Sequence, residues 1–482
     1  MTNGNASAAA MACPFMQLLA ALGITLHLLC ALAETAIAAS SPTSAATSHD
    51  ASALRDAVLE HDTVAWELVE GLTTEMGPRL AGTEQEARAR FWGLAKLKAL
   101  GFQNVHLESF DVPLWKRAEE RAAIISPFPQ PLIIAALGNS GRTTSSRGVT
   151  AEVVAFDDMA ALIAAPPSAV KGKIVVVFHH MAVQQDGGGY GENISIRVDA
   201  PAIASQKGAL AILIKSLGTD HHRLPHTGIT NWPAGIKPIP AAALSAPDAD
   251  QLHRVLLRLR PVVVQVAVGA HMAGTAQSGN IIAEVPGLDR NAPTVLIGGH
   301  LDSWDQGTGA VDDGAGVAIV TAAAKHVMDS GTPLHTIRLV WFGAEELGGL
   351  GGVAYTRAHP NDRYLVAAES DRGADRIYSF ASSSTFAREP VADQLAEALR
   401  PLGITRSALP AKGETDVAPS IAAGTPALDL SQDETRYLEI HHTADDTLDK
   451  IDPAQLRQNV AAWTATLLVL ANYKTRSESG NE

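Results

Sequence analysis

The stretch "TVLIGGHLDSWDQGTGAVDDGAG", residues 294–316, runs from an unbroken apolar segment through one histidine into a glycine-rich turn holding four aspartates. An apolar run of this length, bounded by turn residues, reads as a strand buried on both faces. The alanine- and valine-rich residues beyond it predict a helix over 315–328. Strand, polar turn and helix together make one α/β unit. Its acids, Asp302, Asp305, Asp312 and Asp313, crowd around His300. Their mutual repulsion would destabilise the folded state unless something positive sits among them.

The same texture extends outward. "NIIAEVPG" precedes the stretch, and "TIRLVWFG", "YLVAAES" and "ALDLS" follow it, with a last helix expected at about 453–472. Continuous apolar runs alternating with helices predict an α/β fold, a mostly parallel twisted sheet covered by helices. In such sheets ligands bind outside the carboxyl ends of strands. His300 directly follows "TVLIGG", Glu345 and Glu346 follow "TIRLVWFGA", and Asp371 closes "YLVAAESD". Asp312 and Asp313 sit in the turn that opens the first helix, and "HHTADDT" at 441–447 places further imidazoles in a loop before the last one. Zinc takes histidine nitrogen and carboxylate oxygen, and a catalytic site leaves one position open for water. A cation, or a pair, would turn repulsion among these acids into binding energy.

"GGHLDSWDQGTGAVDDGAG", "AEELGGLGG", "ESDRG" and "HHTADDT" together resemble the metal-binding motifs of the co-catalytic two-zinc exopeptidases, the family of bacterial leucyl aminopeptidases and glutamate carboxypeptidase. "GETD" and "HHTADDTLDKIDP" are most similar to its plasma glutamate carboxypeptidase branch. The resemblance implies two zinc ions per chain: His300 and Asp371 on one, Glu346 and His442 on the other, and Asp312 bridging both. It implies Glu345 as general base and Asp302 as the carboxylate that accepts the other ring N–H of His300 and fixes its tautomer. Asp313 would shape the turn, and the bond between the paired aspartates is cis in the family. The implied activity is hydrolysis of dipeptides or of terminal residues of short peptides.

The chain of 482 residues exceeds what one core usually holds, so a second domain or a large insertion is expected. Residues 16–33 are apolar and Ala36-Ile37-Ala38 reads as a cleavage site, so 1–38 is expected to be a signal peptide and the protein secreted or periplasmic. No Lys or Arg precedes Arg55, which keeps a signal anchor as the runner-up. Both cysteines, Cys13 and Cys30, fall in this leader, so metal ligation after cleavage rests on His and carboxylate. Residues 39–51 read as a flexible linker, 52–120 and 271–475 as the zinc-peptidase domain, and 476–482 as a flexible tail. Within the first part, Phe91, Leu94, Leu97 and Leu100 recur at helical spacing before Gly101. Between the two parts, 121–270 carries short strand-like runs, with helices expected at 198–208 and 247–258. "VKGKIVVV" followed by "ASQKGALAILI" resembles an inserted β-rich protease-associated domain.

A net charge of -14 leaves no basic surplus for nucleic acid. Short peptides are the expected partners, no membrane contact is expected once the leader is removed, and the choice between monomer and homodimer stays open. So do the alternatives of an aminopeptidase on longer peptides, a hydrolase of acylated amino acids, and a non-catalytic binding relative. Some single positions are also ambiguous. His441 competes with His442, and Asp445 with Asp446, the latter better suited to a supporting or capping place. Thr415 and Asp416 either contact substrate or pin their loop. The pairs His179-His180 and His221-His222 lack acids at ligand spacing and read as structural or surface residues. Asn193-Ile194-Ser195 is a glycosylation sequon only in a eukaryotic secretory host.

Overall fold

The computed structural model describes residues 48–384 and 386–474. The leader 1–38, most of the linker and the tail 476–482 lie outside the described residues. Residues Ser48–His61 are helical, so the linker expected to reach residue 51 ends earlier. Burial explains this: Ala51 and Val58 join the core that includes the last helix, Pro453–Ala471. Among the described residues no helix is long and apolar enough to cross a membrane.

The sheet that carries the opening stretch orders its strands Gln103–Lys116, His271–Val285, Ile337–Phe342, Thr294–His300, Tyr364–Glu369. Only the last three are paired in parallel. The first two pair antiparallel with each other, and His271–Val285 is antiparallel to Ile337–Phe342. A single bridge, Ala367 to Ala427, leads on to a small sheet of Leu428–Gln432, Ile377–Ser382 and Thr405–Arg406. The sheet is therefore mixed rather than mostly parallel. The chain leaves this sheet at Lys116 and returns at His271, which are register partners, so the departing and returning strands must run in opposite directions.

Alternate residues along the central strands fall into different cores. Ile281, Val295, Ile297, Leu339 and Trp341 pack on one face, with the helices Ala315–Ser330 and Pro453–Ala471. Ile282, Leu296, Val340 and Phe342 pack on the other. Both faces are covered, which is why the strands read as unbroken apolar runs.

Helix Glu84–Ala99 turns most of its expected apolar stripe to the core, with Leu97 buried and Leu94 and Leu100 packed against it, but Phe91 points away. Its hidden side is Glu86, Ala89, Arg90, Gly93 and Leu97, whereas Phe91 is 69% exposed. A buried ion pair, Glu86 with Arg90 at 2.9 Å, occupies the interface. Gly93 allows the helix to approach the sheet: a Cβ there would lie 2.5 Å from the Trp341 ring.

Residues 120–268 form a second sheet of eight strands, in which Val149–Phe156, Ile174–Val177, Ala211–Lys215 and Ala241–Leu244 are successive parallel neighbours. Two apolar layers sandwich it. Five helices interleave with its strands, among them Gly188–Val198, Ala200–Gln206 and Ala246–Leu256, so the segment is a mixed α/β layer rather than simply β-rich.

Candidate active site

The three parallel strands end side by side, since His300 is level with Phe342, and Gly298 with Glu369. That register delivers His300, the Glu345-Glu346 turn and Asp371 to one place. Ala344 has φ of 60°, a left-handed turn that lifts the two glutamates off the strand axis. The Asp312-Asp313 peptide bond is cis. Asp313 reaches back to the strand: its Oδ2 accepts the His300 amide at 2.9 Å and its Oδ1 the Gly316 amide at 3.0 Å. Gly299 makes this approach possible, because a Cβ there would meet the Asp313 carboxylate at 2.6 Å.

The predicted donors converge. His300 Nε2 lies 3.1 Å from Asp312 Oδ1, 3.3 Å from Asp371 Oδ1 and 4.0 Å from Glu345 Oε2. The other oxygen of Asp312 faces the loop at 441–447, with His442 Nε2 at 3.2 Å and His441 Nε2 at 3.3 Å. His442 also reaches Glu346 Oε2, at 3.1 Å. Asp312 thus stands among three imidazoles, with one oxygen toward His300 and the other toward His441 and His442. His300, Asp312 and Glu346 offer donor atoms within 4.8 Å of one another, as do His300, Asp313 and Asp371. Asp312 Oδ2 and Glu346 Oε1 are buried with no hydrogen-bond partner among the described residues. Unpaired buried carboxylate oxygens are costly, and a divalent cation is the partner this donor set suits.

Asp302 is placed differently from the expectation. The His300 Nδ1–H donates to the main-chain carbonyl of Asp302 at 2.9 Å, while the carboxylate is 3.8 Å away. The carboxylate instead accepts the amides of Glu345 at 3.1 Å and Glu346 at 3.3 Å. It fixes the glutamate turn, and its backbone fixes the imidazole. Of the paired acids near the second loop, Asp446 is buried and accepts the amides of Val311 at 2.6 Å and Asp312 at 3.3 Å, bracing Asp312. Asp445 instead faces Lys450 at 3.6 Å. Asp416 pins its loop by accepting the Gly352 amide at 3.0 Å, whereas Thr415 is exposed and lines the cavity with Glu345. Buried His179 meets the carbonyl of Ser216 at 3.0 Å, a structural contact.

Burial sets the electrostatics. It pushes Asp302 up to about 6, Asp446 to about 7 and Glu346 to about 8. It raises Glu345 and Asp371 as well. Burial alone would lower His300 and His442, but Asp371 and Asp312 beside the first, and Glu346 and Asp312 beside the second, outweigh it and hold both well above the ordinary imidazole range. Such raised acids and bases signal a nest short of positive charge.

One fixed cation already stands behind it, and local sequence gave no sign of it. Arg79 is fully buried and spends its guanidinium on main-chain carbonyls: Leu301 at 2.7 Å, Thr308 at 2.6 Å, Gly309 at 2.9 Å and Gly77 at 3.0 Å. It ties down the 301–309 loop and lends charge to Asp446, Asp302, Asp313 and Asp312. Two further groups come from the 120–268 segment. Arg197 Nη1 lies 3.0 Å from His442 Nδ1, and His226 stacks on His442 with ring centres 4.9 Å apart. A cavity of about 550 Å³ opens over the nest, walled by Asp312, Glu345 and Asp371 on one side and by Tyr190, Ile194 and Arg197 on the other.

Comparison with known proteins agrees with this geometry. The pattern of peptidase family M28 matches residues 280–467. Carboxypeptidase Q of Bos taurus is 34% identical over 404 residues, covering 83% of this chain and 84% of its own. The structure of a peptidase M28 precursor from Shewanella amazonensis superposes with a TM-score of 0.86 at 44% identity, over 89% of this chain and 97% of its own. BSAP, a zinc aminopeptidase from Bacillus subtilis, shares the fold at 19% identity, with a TM-score of 0.61 over 86% of this chain and 96% of its own. With its histidines and carboxylates gathered at the ends of parallel strands, this chain belongs to peptidase family M28 and is a metallo-exopeptidase.

Proposed function

We propose that the protein is a secreted exopeptidase that holds two zinc ions and hydrolyses dipeptides or the terminal residues of short peptides. The observation that carries this reading is the position of Asp312, with one carboxylate oxygen 3.1 Å from His300 and the other 3.2 Å from His442. His300 and Asp371 would hold one ion, Glu346 and His442 the other, with Asp312 shared. Bound there, divalent cations would supply Lewis-acid polarisation of the scissile carbonyl and acidify a water molecule. Glu345 is the base. It lines the cavity with Thr415, and its side chain keeps 15% of its surface exposed. Burial raises its proton affinity, which suits a carboxylate that takes a proton from the attacking water and returns it to the leaving amine. Asp302 holds the amides of Glu345 and Glu346, so base and ligand keep a fixed separation. The segment at 120–268, read as a protease-associated module, roofs the cavity and limits it to small substrates.

Zinc content and a dipeptide panel, with and without chelator, test this. Two zinc ions per chain and chelator-sensitive turnover are expected. Bound zinc without turnover of any peptide would replace the enzyme by a binding protein. N-blocked against C-blocked peptides then decides which terminus is read: cleavage only of peptides with a free amine would make the chain an aminopeptidase.

A further inference from the structure

Three cationic side chains reach the cavity over the nest: Arg197, Arg372 and Lys412. Arg372 is already spent, at 2.6 Å from Glu414 and 3.6 Å from Glu434. Lys412 is exposed at the rim. Arg197 is different in kind. It is only 4% exposed, yet it pairs with no carboxylate among the described residues. None of its partners is an anion: His442 Nδ1 lies at 3.0 Å, His226 Nε2 at 3.2 Å and the Thr227 carbonyl at 3.3 Å, all from the single nitrogen Nη1. Its Nε is buried without a partner. A guanidinium out of water with no counter-ion is costly, and such sites persist where an anion arrives.

The cost grows once the neighbouring site is filled. If His442 gives its Nε2 lone pair to a cation, its Nδ1 must carry the proton, and that N–H then faces the N–H of Arg197. The imidazole can turn its proton to the Thr227 carbonyl, 3.3 Å away. Arg197 then keeps fewer acceptors than it has donors. The segment around it is shaped to seat the group: Gly228 has φ of 135°, and a Cβ there would lie 1.8 Å from Arg197 Nη1. The flat, two-pronged guanidinium matches a carboxylate, and the cavity it lines is of a size that suits a small ligand.

We propose that Arg197, supplied by the inserted segment, holds the free terminal carboxylate of a short peptide beside the histidine–carboxylate nest. The proposal rests on the exopeptidase reading above and deepens it: substrates would be selected for an unblocked carboxyl end, and the specificity-determining residue would lie outside the strands that carry the nest. Lys412 at the rim adds long-range attraction for the same charge.

The test uses the zinc-loaded full chain and one dipeptide in two forms, the free acid and its C-terminal amide. The wild type is expected to favour the acid in kcat/KM by on the order of 10- to 100-fold, the usual worth of a charge-assisted contact. Arg197→Met should collapse that ratio toward unity through the KM of the acid, with zinc per chain retained. Arg197→Lys, which keeps the charge and loses the fork, should keep part of the ratio, and it serves as the measurement if the methionine variant does not fold. Gly228→Ala, which displaces the guanidinium without removing it, should lower the ratio as well. A wild type indifferent to the amide overturns the proposal. So does an Arg197 variant that slows both forms equally, which would assign the residue to the developing oxyanion, or one that loses zinc while the ratio stands, which would leave it only steadying His442. A zinc-loaded wild type that cleaves neither form would remove the exopeptidase reading itself.

Discussion

Stripping metal from the nest should make stability fall with rising pH across a window in which that of the loaded protein falls less steeply. Two buried pairs carry the argument. Glu346 and His442 are 3.1 Å apart, and burial pushes Glu346 up to about 8, so the pair keeps a proton that the unfolded chain has released. His300, held well above its ordinary range by Asp371 and Asp312 despite burial, keeps a second. Both are raised folded-state values, so their stabilisation is complete below the unfolded pKa and is lost as pH climbs through the folded one. His226 and His441 are shifted the other way, well below the usual value, by burial and by neighbouring positive charge. Their contribution is lost as pH falls below about 6.5, and above that they are neutral in both states and add no slope. From about pH 6.5 to about pH 8, then, these two sites alone hold two more protons in the folded metal-free chain than in the unfolded one, and the buried carboxyls raised beside them, Asp446 at about 7 among them, steepen the slope in the same direction. Each of those two protons is worth roughly 1.4 kcal/mol per pH unit, so the loss is roughly 4 kcal/mol. With an unfolding entropy of about 2.1 cal/mol/K per residue, that lowers Tm by roughly 4 °C in a chain of this length. In the loaded protein the ligand carboxylates would be ionised and the ligand imidazoles neutral throughout, and the part of the slope that these two sites carry is lost. Scanning calorimetry of chelated and zinc-reconstituted protein in a pH series measures both curves. A chelated protein whose Tm is level or rises over that window, or two parallel curves, would refute the reasoning.

Glu345→Gln should cut kcat by about 10²- to 10⁴-fold with zinc content intact, measured by dipeptide turnover and metal analysis on the same sample. Asp446→Ala strips the acceptor from the Val311 and Asp312 amides, at 2.6 and 3.3 Å. It should cost on the order of 2 to 4 kcal/mol and weaken metal binding about 10- to 100-fold, read by denaturant unfolding and competitive chelation, with Asp446→Asn intermediate. Gly93→Ala puts a methyl 2.5 Å from the Trp341 ring and 2.8 Å from Ile281 Cδ1, in the core beneath the sheet. It should destabilise by about 1 to 3 kcal/mol and leave kcat/KM unchanged.

Much of the nest could be read from sequence because each donor sits in a short motif whose setting is itself informative. His300, Glu345, Glu346 and Asp371 each close an apolar run, and strands buried on both faces announce themselves through composition. Pairing direction carries no such mark. The end at 281–285, IIAEV, reads like its parallel neighbours, and only its register with 337–341 shows that it runs the other way. The helix at 84–99 misleads for a related reason. Counting apolar letters puts Phe91 inside, but a Glu86–Arg90 pair and the space opened by Gly93 settle which side is buried.

The residues that could not be read share a different property. Arg79, Arg197 and His226 stand in unremarkable local sequence, and each acts on a partner more than two hundred positions away. Their meaning is the partner's identity, which periodicity and spacing do not encode. This bears on how the site is divided between its two sheets. The His226 Nδ1–H donates to the His441 carbonyl, 2.9 Å away, and the amide of Thr227 donates to the carbonyl of His442 at 3.0 Å. The loop with the second imidazole is therefore fastened to the inserted segment by its backbone as well as by Arg197. An insert joined only by its two connecting strands could tilt freely over the cavity. One that also grips the 441–442 backbone is tied to the nest, so a displacement of the insert is expected to displace His442 with it.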